Sequence, residues 1–239
     1  MSRWDKLPDT REFFGNGLLM EPISISSVIK GHFCPVRLYI ERSGPSQESS
    51  RYTVCKQISS HLGGSLDLVE IWREICTIQP DIDPAMQDFL ATCVTSCKTR
   101  EWRRPVQTDV SVISEKFGMR GVVDKVYGEA PFFAITRSSE APQAGIYTSD
   151  RLRVACYALC IRESMGIPAD AGLVEYIPSG VVRLCRPEPR DRRSMIRGVR
   201  MAERVIGGEI PKKPVNAPCS SCPHEGKCVP GPHRLSDLW

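Results

Sequence analysis

A chain of 239 residues, 41% hydrophobic and 25% charged, has the composition of an ordinary globular protein and is long enough to bury a sizeable core. Its formal net charge of +4 is too small to make the whole molecule a polycation, so any contact with nucleic acid rests on local clustering. Every apolar run falls well short of the roughly 18 residues that read as a membrane span, and the opening MSRWDKLPDTREFF lacks the apolar segment of a secretory signal, which points to a soluble, cytoplasmic protein with no membrane partner.

Residues 1–22, polar and interrupted by Pro, Gly and Asp, read as an N-terminal arm. From Ser26, with Ser26 and Ser27 as caps, Ile29, Phe33, Val36 and Ile40 recur at helical spacing, and Pro35 predicts a kink beside Cys34. Further helices are expected over 53–61, 66–75 and 84–97. The pattern then turns β-rich: 106–113, 121–128 and 131–139 form a three-stranded meander. An amphipathic helix over 149–164, capped by Ser149 and ended by Gly166 and Pro168, leads to strands at 172–177 and 180–185 and a basic helix from about 188 to 206. The order of elements gives an α/β or α+β core behind an N-terminal helical region. The domain reading is an arm (1–22), a helical region (23–100), a core (101–210) and a C-terminal cysteine loop and tail (211–239).

Eleven cysteines in a chain with no secretory signal argue against a disulfide framework. Cys93 and Cys97, like Cys156 and Cys160, sit four apart in apolar helical patterns and read as small buried hydrophobes, as do the isolated Cys55, Cys76 and Cys185. Core packing does not explain CSSCPHEGKC. Cys219, Cys222 and Cys228 stand there at C-x2-C-x5-C among prolines and polar residues, and thiolates are the soft ligands that zinc and iron-sulfur clusters select. A fourth ligand is needed, and spacing leaves two open: His224, for a Cys3His zinc site, or the distant Cys34, for four thiolates.

The two cysteine elements together, HFCPVRLYIE and CSSCPHEGKC, resemble those of the CRISPR-associated RecB-like exonucleases, the fourth Cas family. The resemblance covers most of the chain. It implies a PD-(D/E)xK (restriction-endonuclease-like) mixed sheet flanked by helices, with a 4Fe-4S cluster on Cys34, Cys219, Cys222 and Cys228. It also implies action on DNA, single-stranded ends included, during spacer acquisition beside CRISPR integration proteins. On its motifs His61 takes the histidine position and Asp124, in GVVD, the metal-binding aspartate. The Glu-x-Lys strand is replaced by Ile135-x-Arg137; Arg153 stands where a glutamine is expected, while Tyr157 is retained. The catalytic candidates carried over are therefore His61, Asp124, Arg137 and Tyr157, with His61 and Asp124 as ligands for Mg2+ or Mn2+ if the chain is active.

Ile135 cannot ligate a metal, and an arginine at 137 cannot give up a proton as a lysine can. Glu129 and Glu140, flanking the altered strand, are the available replacement carboxylates. An inactive DNA-binding or assembly subunit is the alternative to an exonuclease. For nucleic acid the sequence offers Arg193, Arg197, Arg200 and Arg204, which fall on one helical face, and Arg103 and Arg104, which together with Arg137 and Arg153 could extend a basic channel.

Overall fold

The computed structural model describes residues 21–42, 44, 48–225 and 228, with the side chain of residue 221 left aside. The expected arm therefore lies, up to residue 20, outside the described residues. Six strands form one mixed sheet: β1 (Ile23–Ser24), β2 (Gln107–Ser114), β3 (Met119–Val126), β4 (Phe133–Arg137), β5 (Gly172–Tyr176) and β6 (Val181–Cys185). Among the described residues seven helices accompany it: α1 (Ile25–Phe33), α2 (Pro35–Glu41), α3 (Ser50–His61), α4 (Leu68–Ile78), α5 (Met86–Cys97), α6 (Thr148–Met165) and α7 (Pro189–Ile206). The chain is an α/β fold. Among the described residues no helix is long and apolar enough to cross a membrane.

The predicted meander is present: β2 pairs antiparallel with β3, and β3 with β4. β4 then pairs parallel with β5, so the chain must cross over, and α6 is that crossover; β5 and β6 close as an antiparallel hairpin. Gly180 makes the turn at φ +60°, and a Cβ there would meet the carbonyl oxygen of Ser96 at 2.2 Å, so only glycine fits. β1 has no counterpart in the sequence reading. Its two residues pair parallel with Met119 and Arg120, and this capture places Ser24, not Ser26 or Ser27, as the cap of α1, its hydroxyl accepting from Ser27 N at 3.0 Å.

At Cys34 the expected kink is a full break. Proline disfavours helical backbone in the residue before it and fits the first position of a new helix; Cys34 is extended (φ −153°, ψ 89°) between α1 and α2. α6 departs from its predicted amphipathicity: every residue from Val154 to Ile161 is buried, because β2, β3, β5, α1 and α7 cover it on several sides. Nor does Ser149 cap it; the N-cap is Tyr147, with no side-chain bond, while Gly166 ends the helix at φ +67° as expected.

Two apolar cores result. The larger joins the sheet to α1, α6 and α7, with α1 and α7 in close contact at Gly31 and Gly198, where a Cβ on Gly198 would meet Val28 O at 2.6 Å. The smaller is built from α3, α4 and α5 with Ile177. The stretch 23–100 thus contributes α1 and α2 to the sheet's own core and α3–α5 to a second one. Cys55, Cys93, Cys97, Cys156, Cys160 and Cys185 are buried free thiols, the packing role expected of them; Cys76 is half-buried.

Candidate functional site

A cleft of about 770 Å³ opens where β3 and β4 part. Their ladder holds only at Lys125–Ala134 and Val126–Phe133; one residue earlier, the Asp124 side chain takes over, Oδ2 accepting from Thr136 N at 2.7 Å. Asp124, Thr136 and Arg137 line the cleft with Tyr52, Gly121, Arg153 and Tyr157. Three of the residues singled out by resemblance, Asp124, Arg137 and Tyr157, therefore come together.

His61 does not join them. Its Nε2 lies 2.7 Å from Glu74 on α4, and together with Gln57 it holds the Glu74 carboxyl below its ordinary range. The Asp124 partner on α3 is Lys56, whose ammonium is 2.5 Å from Oδ1, with the Tyr52 hydroxyl 3.5 Å from the same oxygen. Lys56 also pairs with Asp109. Asp109 stands across the ladder from Asp124, at the one interrupted rung between Thr108–Lys125 and Val110–Val123, in the left-handed region at φ +53°. The Lys56 ammonium thus bridges two carboxylates. Burial would lower its pKa, but the charge of Asp124 and the bonds to both aspartates outweigh this and raise it, so it stays a cation.

Ile135 and Tyr157 are held in structural roles. Ile135 is buried. The Tyr157 hydroxyl donates to Val122 O at 2.7 Å, tying α6 to β3, with burial pushing the phenol well above its ordinary pKa. That ring lies so close that a Cβ on Gly121 would meet it at 2.9 Å. Arg137 forms an ion pair, Nε to Asp150 Oδ1 at 2.7 Å, without hydrogen-bond alignment. Neither replacement carboxylate lines the cleft: Glu140 accepts from Ser179, and Glu129 offers its backbone carbonyl to Arg103 at 3.0 Å. Arg103 and Arg104 do not extend a channel; Arg103 stacks over Tyr127, and Arg104 donates to Gly63 O at 2.6 Å.

The second feature is a cavity of about 150 Å³ lined by Cys34, Cys219, Cys222 and Cys228. The helix break presents Cys34; a 3-10 turn over Cys219–Ser221, with Cys222 N donating to Cys219 O at 2.9 Å, presents two of the others. No group of three or more His, Cys, Asp or Glu side chains among the described residues is arranged as a ready ion site. What fits a shared centre is the donor set: four free thiols from opposite ends of the chain around one space, with Arg37 and Lys213 also lining it to offset thiolate charge. Such a centre, once bound, would cross-link the chain ends.

His224 lines the same cavity, but its Nε2 is 2.9 Å from Glu41 Oε1. Burial would raise the Glu41 pKa, yet hydrogen bonds from Lys30 (2.5 Å), Arg37 (2.7 Å) and His224 hold it at about 2. A carboxyl whose folded pKa is lowered stabilises the fold fully above its unfolded value of about 4.3 and loses that contribution as pH falls towards the folded value. Glu41→Gln is therefore expected to be less stable than the wild type at pH 6. The gap in urea midpoint should narrow below about pH 4.3; a gap unchanged with pH would count against this clamp.

Along α7, Arg193, Arg197, Arg200 and Arg204 are all exposed, as the predicted stripe requires. Arg204 is engaged by Glu209, and Arg197 donates to Ser194 at 3.1 Å, so part of the stripe is locally partnered. Lys56, Asp109 and Tyr52 are the site residues that sequence reasoning missed; the available signals were the i, i+4 spacing of Tyr52 and Lys56 on α3 and the facing positions of Asp109 and Asp124 in a predicted hairpin. No protein-family model matches the chain, and no curated protein matches it.

Proposed function

We propose that this chain is a DNA-processing protein of the CRISPR-associated RecB-like, iron-sulfur kind, acting on DNA ends in spacer acquisition as a binding or assembly subunit that does not itself cut DNA by the metal-dependent route. The observation that carries the second half is the closure of Asp124. Metal-dependent phosphodiester hydrolysis needs carboxylate oxygens free to hold Mg2+ or Mn2+, which polarises the phosphate and activates water. Here both Asp124 oxygens are engaged, by Lys56 and by Thr136 N, while the next strand offers Ile135, a buried hydrocarbon. The Lys56 ammonium already engages an Asp124 oxygen that a divalent cation would use.

Support for the first half comes from the resemblance together with two features of the fold: a meander, crossover helix and fifth strand that set Asp124 in a cleft, and four cysteines from distant segments around one cavity. The test is to incubate the protein with single-stranded DNA and Mn2+. Binding without shortening of the strand is expected, unchanged in Asp124→Ala. Degradation that depends on Mn2+ and disappears in Asp124→Ala would restore the exonuclease reading.

A further inference from the structure

Among the buried polar atoms without a hydrogen-bond partner, Arg137 Nε and Asp150 Oδ1 account for each other as the ion pair at 2.7 Å. Arg153 Nε has no such explanation. It belongs to α6, lines the cleft beside Arg137, and carries a guanidinium that burial first, and the Arg137 charge second, make costly to keep protonated. The nearby buried carboxylate, Asp150, is paired with Arg137, and its second oxygen already accepts from Tyr176 at 2.9 Å. Arg153 is half-buried and borders the cleft with its Nε unmet, so its guanidinium can take an anion from outside.

We propose that Arg137 and Arg153 form a metal-independent subsite for a phosphate group in this cleft. The planar guanidinium fork matches phosphate oxygens in paired hydrogen bonds, which an ammonium cannot do. The hydroxyls of Ser24, Ser26 and Ser111, on the same walls, supply neutral donors. Lys56, between Asp124 and Asp109, offsets part of the negative charge that would otherwise repel the phosphate. That the phosphate belongs to a nucleic-acid strand rests on the function proposed above; the subsite itself does not. The oxyanion of a strand terminus and that of an internal diester share this chemistry.

The experiment uses the full chain in EDTA. Inorganic phosphate is titrated by calorimetry into the wild type, Arg153→Met and Arg153→Lys, and single-stranded oligonucleotides with and without a 5′-phosphate are titrated by fluorescence anisotropy. Circular dichroism confirms that each variant is folded, and Arg153→Lys keeps the charge if Arg153→Met does not fold. Phosphate should bind the wild type without metal, and Arg153→Met should weaken both ligands at least about tenfold, with a smaller loss in Arg153→Lys. If the effect on oligonucleotides vanishes without the 5′-phosphate, the subsite takes a terminus; if it persists, an internal diester. Absence of phosphate binding, or equal binding by the folded variants, overturns the subsite even where DNA binds elsewhere on the protein. Phosphate binding lost with Arg153 but no binding of DNA leaves the subsite standing and removes the DNA-processing reading instead.

Discussion

Lys125→Met is expected to destabilise the protein by about 3–5 kcal/mol, because it strands a buried carboxylate. Lys125 and Glu175 are 2% and 3% exposed and 2.8 Å apart, on β3 and β5, so the pair reaches across β4, which lies between them. Glu175 also accepts from Tyr127 at 3.0 Å and Ser59 at 3.4 Å, and Ser59 shares a hydrogen bond with Thr136 at 2.9 Å. The network therefore fastens α3 to three strands beside the cleft. Removing the ammonium leaves two hydroxyls to solvate a full negative charge away from water. Replacing both partners is a different matter: Lys125→Met with Glu175→Leu removes the desolvation cost along with the attraction, and should recover most of the loss. Urea unfolding of the two variants separates these cases. A single substitution costing under about 1 kcal/mol would mean that water reaches Glu175 and that the pair is not sealed.

The elements of the fold were legible because period and punctuation agree locally; the site was legible only in part, because direction is not encoded in spacing alone. α3 shows the difference. Tyr52, Lys56 and Ser59 repeat at four and three residues and so share the face that meets the sheet, where each has a partner. His61 lies five residues beyond Lys56, about 140° further round a helix of 3.6 residues per turn. It shares instead the face of Gln57, four residues before it, and both reach Glu74. A motif alignment that puts a histidine after a short helix says nothing of which face carries it. The burial of α6 was illegible for a related reason: its charged residues at both ends mask a middle turned on several sides towards protein, and only the tertiary arrangement shows how many neighbours it has. β1 is two residues long, below any period a sequence can display. By contrast, the Cys34–Pro35 step was readable from backbone sterics alone.

Cys34→Ala is expected to abolish the proposed iron-sulfur cluster outright. Anaerobically purified wild-type protein should carry iron and sulfide at about four each with a broad visible absorption, all lost in the variant. Three cysteines within ten residues can hold a metal locally, and His224 beside them offers a fourth ligand without help from the N-terminal region. In the structure that histidine is directed to Glu41, which lies on the helix that Pro35 starts immediately after Cys34. The contact takes up His224 Nε2, leaving Nδ1 as the ring nitrogen that could reach a metal, and it ties His224 to the helix that begins beside Cys34. Closing a loop from Cys34 to Cys219 should also stabilise the fold by on the order of 4–5 kcal/mol on loop-entropy scaling, so the variant should unfold at lower urea than the loaded wild type. Zinc retained stoichiometrically by Cys34→Ala would place the fourth ligand at His224, free Cys34 from any metal role, and take with it the feature that most supports the proposed kinship.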